Sequence, residues 1–135
     1  MSSIIEELQQ KSDFFCERGV SEEEIKNAED ALGTIFAEDY KDYLSQYGSV
    51  SCGGHELTGV SEEQSLDVVR VTLRNRLNNP SIRTPLYVVE ETHIDGIVIW
   101  QDSNGEVLQS EYQGPALKKY ESLTDYVSTF TNRIP

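Results

Sequence analysis

The chain has 135 residues, 37% of them hydrophobic and 26% charged, with a formal net charge of −13 at pH 7. That size and balance predict one globular domain over residues 1–135, with a core that needs neither metal nor disulfide. No apolar run approaches the roughly 20 residues a membrane-crossing helix requires, and so acidic a chain is a poor partner for nucleic acid or anionic membrane and a good one for basic proteins.

The charge is uneven: residues 1–63 carry 15 acids and 4 bases, residues 64–135 carry 9 acids and 7 bases. The N-terminus has no basic segment followed by a long apolar one, so no signal peptide is expected and the chain is assigned to the cytoplasm. Cys16 and Cys52 lie in no C-x-x-C pair and have no local ligand set for zinc, which predicts small thiols and no metal or other cofactor.

In chain order, Ile4, Ile5, Leu8 and Phe15 suggest a short opening helix within Ser3 to Phe15, with Glu6 and Glu7 at its positive end. Ser21 followed by Glu24 is a capping-box signature, and Ile25, Ala28, Ala31 and Leu32 form the stripe of the helix it opens. Gly33 supplies the stop, and Glu22, Glu23, Glu29 and Asp30 are placed on or near the wet side. A second helix is expected from Ala37 to Tyr47. Its Tyr40, Tyr43, Leu44 and Tyr47 stand at i, i+3, i+4 and i+7, and they are read as core with hydroxyls at the rim. Its opposite face offers Glu38, Asp39 and Asp42.

Ser49 to Val60 reads as a hairpin turning at Gly53-Gly54. Ser65 to Leu77 mixes strand formers with a helical stripe of Leu66, Val69, Leu73 and Leu77. Its length decides for helix, ending at Asn78-Asn79-Pro80. Three strands follow: Leu86 to Glu90, Ile97 to Trp100 after the Asp95-Gly96 turn, and Glu106 to Tyr112 after the Asp102 to Gly105 turn. The second turn lacks the full ligand series of a calcium loop. Ser122 opens a terminal helix striped by Leu123, Tyr126, Val127, Phe130 and Ile134. The order predicts an α+β fold, an antiparallel sheet flanked by N-terminal, central and C-terminal helices.

No nucleotide-binding, zinc-protease or hydrolase motif is present. His55, with Glu56 and Cys52 beside it, is the one grouping that invites a catalytic reading, but neighbours in sequence do not make an oriented base facing a nucleophile.

The residues Glu24-Ile25 through Glu29 to Leu32-Gly33, Phe36, Asp39-Tyr40-Lys41, Tyr43-Leu44, Tyr47-Gly48 and Gly54 to Gly59 resemble the SUKH superfamily, in the branch related to the fungal cell-wall regulators Smi and Knr. The family pattern is an E-I-x-x-x-E-x-x-L-G helix, a phenylalanine-proline step, D-Y-K-x-F-L-x-x-Y-G and a glycine-bearing loop. Thr72, Arg76, Asp95-Gly96, Asp102, Gly105 and Val107 extend the likeness more loosely. Ala37 replaces the usual proline and Tyr43 the usual phenylalanine. The resemblance implies a SUKH-like fold and, for bacterial members, immunity proteins that bind and neutralise a cognate toxin, often a nuclease, in intercellular competition.

Charge and resemblance together predict a non-enzymatic antitoxin, monomer or weak homodimer. Its partner is expected to be a basic nuclease domain met by Glu38, Asp39, Asp42, Glu56, Glu62 and Glu63. Two other readings compete: a regulatory scaffold with a non-toxin client, and a small enzyme using His55.

Overall fold

The computed structural model describes residues 3–82 and 85–133. The opening helix α1, Ser3–Gln9, buries Ile4, Ile5 and Leu8. It is shorter than its apolar spacing suggests: it ends at Gln9, and Asp13, at a left-handed φ of 53°, turns the chain before Phe15. Phe15 and Cys16 then form strand β1, and Phe15 is 68% exposed rather than part of the helical stripe. Its neighbour Phe14 takes the inward place, edge-on to Tyr47 at 5.1 Å.

Capping decides the next two helices. Ser21 Oγ accepts from the Glu24 N–H at 3.2 Å while Glu24 accepts from the Ser21 N–H at 3.1 Å, and this capping box opens α2, Glu22–Leu32. Gly33, at φ 65°, closes it. Ile25, Ala28 and Leu32 are buried, whereas Ala31 is exposed. Helix α3, Glu38–Tyr47, has no side-chain cap at Ala37. Instead the Ala37 N–H donates to the buried Tyr87 hydroxyl at 2.9 Å, a bond that a proline here would forfeit.

Gly48 ends α3, and β2 (Val50–Cys52) and β3 (His55–Glu56) follow as the expected hairpin, with Gly53 and Gly54 both at positive φ. They complete a three-stranded antiparallel sheet in the order β1-β2-β3. Helix α4, Val68–Asn78, starts from an Asp67 cap, then β4 (Tyr87–Glu91), β5 (Ile97–Gln101), β6 (Val107–Glu111) and β7 (Leu117–Tyr120) form an antiparallel meander. Strand β7 is not foreseen in the sequence, since Leu117, Lys118 and Lys119 are all exposed and leave no apolar alternation. Helix α5, Leu123–Val127, begins at the expected Ser122 cap but runs only five residues. Leu123, Tyr126, Val127 and Phe130 are buried; Ile134 lies outside the described residues.

The four-stranded sheet is covered on both faces. Tyr87, Val89, Ile99 and Val107 meet the core built by α1, α2, α3 and α5, while Val88 and Trp100 join Val71 and Leu86 on the other side. The hydroxyls of Tyr40 and Tyr43, expected at the rim, are deep in that core, as is that of Tyr87. Tyr43 donates to the Thr58 carbonyl at 2.6 Å and accepts from the Val50 N–H at 3.1 Å, and Tyr87 donates to Gln101 Oε1 at 2.6 Å. Burial pushes the hydroxyl pKa of Tyr40, Tyr43 and Tyr87 above its ordinary value. The fold is α+β with flanking helices, as the element order implies, and its antiparallel strands form two sheets where one was expected.

Candidate functional site

Residues 21–47 carry eight acids and two bases. The apolar stripes of α2 and α3 turn inward, so their remaining faces carry that charge outward. Where the two helices run side by side they leave a groove of about 340 Å³, lined by Glu22, Ile25, Lys26, Glu29, Glu38, Lys41, Asp42 and Ser45. Ile25 is 7% exposed and gives the groove an apolar floor. Glu38 stands at its edge with its side chain 89% exposed, and Asp42 is exposed beside it. Lys41 reaches toward both Glu29 and Glu38, at 3.9 Å from each, and Lys26 pairs with Asp30 at 3.2 Å. The exposed Lys26–Asp30 pair is weak and exchangeable.

A second groove lies on the other flank of the first turn of α2, lined by Glu17, Arg18, Val20, Glu24, Val60, Ser61 and Glu62. Glu17 Oε2 accepts from Ser49 Oγ at 3.0 Å and Ser61 Oγ at 2.9 Å, and so holds the Glu62-bearing loop to the end of α3. Glu63 is exposed next to Glu62, its N–H donating to Ser61 Oγ at 3.0 Å.

Of the acids singled out in the sequence, Glu38 and Asp42 therefore share one groove, and Glu62 and Glu63 lie at or beside the next. Glu56 is exposed elsewhere, against a small recess with Thr58, Ser65, Leu66, Glu91 and His93. Asp39 has a structural task. Its Oδ1 accepts from Gln101 Nε2 at 3.0 Å and its Oδ2 from the Leu123 N–H at 2.8 Å, tying α3 to β5 and to the start of α5. Desolvation raises its carboxyl pKa despite those two donors. Glu29 is also drawn off the wet side, accepting from the Phe36 N–H at 2.8 Å with its side chain only 13% exposed. Glu22 and Glu24 are the additions. Their place in the first turn marks them as helix-start acids, and that role hides that they face two grooves.

The grouping around His55 is built for rigidity. His55 Nδ1 lies 2.9 Å from Glu90 Oε1, and the Glu56 N–H donates to Glu90 Oε2 at 3.3 Å. The Tyr126 hydroxyl donates to Glu90 as well. A bulge at Val89 makes this possible by shifting the register between Val88 and Glu90. It turns Glu90 toward α5 and leaves Glu91 to Arg74 and Asn75 of α4. The thiol of Cys52 is pushed up to about 11 by burial, the reverse of what a nucleophilic cysteine needs.

Among the described residues no group of three His, Cys, Asp or Glu side chains is placed to hold a metal ion, and no helix is long and apolar enough to cross a membrane. A family model described as SUKH_5, SMI1-KNR4 cell-wall, matches residues 1–129. No curated protein matches the chain.

Proposed function

Because the chain belongs to the SMI1-KNR4 cell-wall family of the SUKH superfamily, whose members are commonly immunity proteins, we propose that it is a cytoplasmic antitoxin. It binds a cognate basic toxin, a nuclease domain, one to one and without turnover. The observation that carries this reading is the α2–α3 groove, where an apolar floor at Ile25 is bordered by the exposed carboxylates of Glu38, Asp42 and Glu22. A nuclease surrounds its phosphate-binding cleft with lysine and arginine. Those side chains can lay aliphatic stems on the floor and place their charges among the carboxylates. The adjoining groove, with Glu24 and Glu62, widens the acidic surface toward the span of a protein interface. Complementary fields speed capture, which matters for a protein that must intercept a toxin before it acts.

The test is calorimetric titration, at low and high salt, with a basic nuclease toxin domain, sought first in the genes that flank this chain's own. Replacing Glu38, Asp42, Glu62 and Glu63 by Gln or Asn should weaken binding at low salt by tenfold or more, about 1.4 kcal/mol. It should also flatten the salt dependence and leave the urea midpoint in place. Equal affinity of the wild type and the neutralised variant at both salt concentrations would sink the reading.

A further inference from the structure

Helix α4 is buried on a face that its sequence periodicity does not select. Inward go Val68, Val71 and Thr72, then Asn79. Between them Arg76 donates to the carbonyls of Leu32 and Leu86, and Asn75 to Glu91. Outward go Arg70, Leu73, Arg74 and Leu77, at i, i+3, i+4 and i+7, so one exposed ridge alternates cation and leucine. Leu73 is 47% and Leu77 81% exposed. Residues 68–78 contain no acid, although the chain as a whole carries −13. Arg74 shares its guanidinium with Glu91 at 2.6 Å, while Arg70 has no ion-pair partner among the described residues.

A rigid ridge of this kind needs a surface that is apolar and acidic. Symmetric pairing of α4 with α4 of another molecule would set arginines against arginines, which costs energy in contact. The α2–α3 groove has the complementary character: Ile25 lies beneath Glu22, Glu29, Glu38 and Asp42, which outnumber the two lysines of the lining, Lys26 and Lys41. Lys26 is paired with Asp30, and Lys41 with Glu29 and Glu38. Helix α2 packs against both α3 and α4, but Val71 of α4 lies in the cluster on the other face of the sheet, so only a second molecule can bring a ridge to a groove. Ridges of side chains seating in the groove between helices is the ordinary mode of helix packing.

We propose that the α4 ridge docks into the α2–α3 groove of a second copy of this chain. Arg70 and Arg74 face Glu38 and Asp42, and Leu73 and Leu77 cover the floor at Ile25. The net negative charge does not forbid the contact. At physiological ionic strength the Debye length is about 8 Å, so opposite charges in contact outweigh screened repulsion from the rest of the surface. On the reading given above, self-association masks the toxin-binding groove, and toxin and second copy compete for it.

Sedimentation velocity over a wide concentration range tests this, using a ridge variant, Arg70→Glu with Leu77→Asp, and a groove variant, Glu38→Lys with Asp42→Lys. All four positions are exposed, and circular dichroism checks that each variant folds. The wild type should gain mass with concentration and lose that gain at high salt. Each variant alone should stay monomeric, and their mixture should associate again, because each supplies the surface the other lacks. A wild type that is monomeric throughout, a groove variant that associates as well as the wild type, or a mixture that does not associate overturns the proposal. The ridge variant should keep full affinity for the basic toxin domain. If wild type and ridge variant both ignore that domain, the antitoxin reading fails while the sedimentation result stands.

Discussion

The imidazole of His55 lies flat on the phenyl ring of Phe130, with centroids 3.6 Å apart and planes 3° from parallel. This stack and the Glu90 carboxylate hold the ring from two sides, so the β2–β3 hairpin, the α5 segment and β4 are joined at one point. The role is mechanical. Glu90, 4% exposed, receives donors from His55, Glu56 and Tyr126, and Glu90→Gln replaces an ionic acceptor with a neutral amide that must present an N–H to one of them. The variant should lose about 2 kcal/mol in urea unfolding. His55→Ala should cost less, since the ring is one-third exposed and its departure lets water reach the carboxylate. On the antitoxin proposal it should leave binding of the toxin intact; abolished protection in a folded His55→Ala protein would restore the enzyme reading.

Asp39 predicts a pH dependence. Burial raises its pKa from the ordinary value of 3.8 in the folded chain. The native state then binds more protons than the unfolded state between 3.8 and that raised value, and stability falls as pH rises through the window. Asp39→Asn removes the titration. The stability difference, wild type minus variant, should therefore be most favourable to the wild type below the ordinary carboxylate range and decline as pH rises. Urea midpoints measured across the acid range decide it, and a difference that does not move with pH counts against the assignment.

How far these features could be read from the sequence depends on whether local or non-local physics sets them. Ser21, Glu24 and Gly33 act within one turn of α2, so the capping box and the stop are visible as a pattern. The α2 and α3 stripes are equally local. Helix α4 is legible as a helix but not in its orientation, because Arg76 and Asn79 find carbonyls on distant segments, and Asn79 is buried and Arg76 half-buried at the expense of leucines. Lys11 is similar: fully buried, it ties Glu7 of α1 to the Phe130 carbonyl and to Asn132, contacts set by the return of the C-terminus. The inward turn of Glu90 needs the bulge at Val89, and a bulge is a property of two paired strands. For the same reason Asp39 could not be told from Asp42 by spacing alone: only the tertiary position of Gln101 and Leu123 distinguishes them.

Gly59 packs its α-carbon against the backbone of Gly48, and Gly48 against that of Arg18, and neither contact leaves room for a side chain. A Cβ on Gly59 would fall 1.7 Å from the Gly48 carbonyl oxygen, and one on Gly48 would fall 2.2 Å from that of Arg18. Gly48 also sits at φ 73°, where L-residues are strained. The obstructing atoms are backbone and cannot rotate away. Gly59→Ala should therefore destabilise at or beyond the upper end of the ~1–3 kcal/mol typical of overpacking. Gly33→Ala, with nothing within 4 Å, should lose only about 1 kcal/mol from its positive φ. Thermal unfolding of the two variants side by side checks the order, and equal losses would show that the close approach is relieved by movement.

The neighbours Arg76 and Leu77 invert the usual expectation for a charged and an apolar residue on a helix. Arg76 donates to the Leu32 carbonyl at 2.8 Å and to the Leu86 carbonyl at 2.9 Å, and desolvation lowers its pKa without another charge to compensate. Arg76→Leu makes the buried face more apolar yet strands two carbonyls that the arginine had satisfied, between α2 and the start of β4. It should cost about 2–3 kcal/mol, since bonds to a charged donor are among the stronger ones. Leu77→Asp exchanges a leucine for a charge at a position 81% exposed, and should stay within about 0.5 kcal/mol of the wild type. Urea unfolding of both proteins at low concentration, where any self-association is dissociated, gives the comparison. If Leu77→Asp were the more damaging of the two, the leucine face of α4 would be its buried one, and both the docking of that helix and the ridge built on it would have to be redrawn.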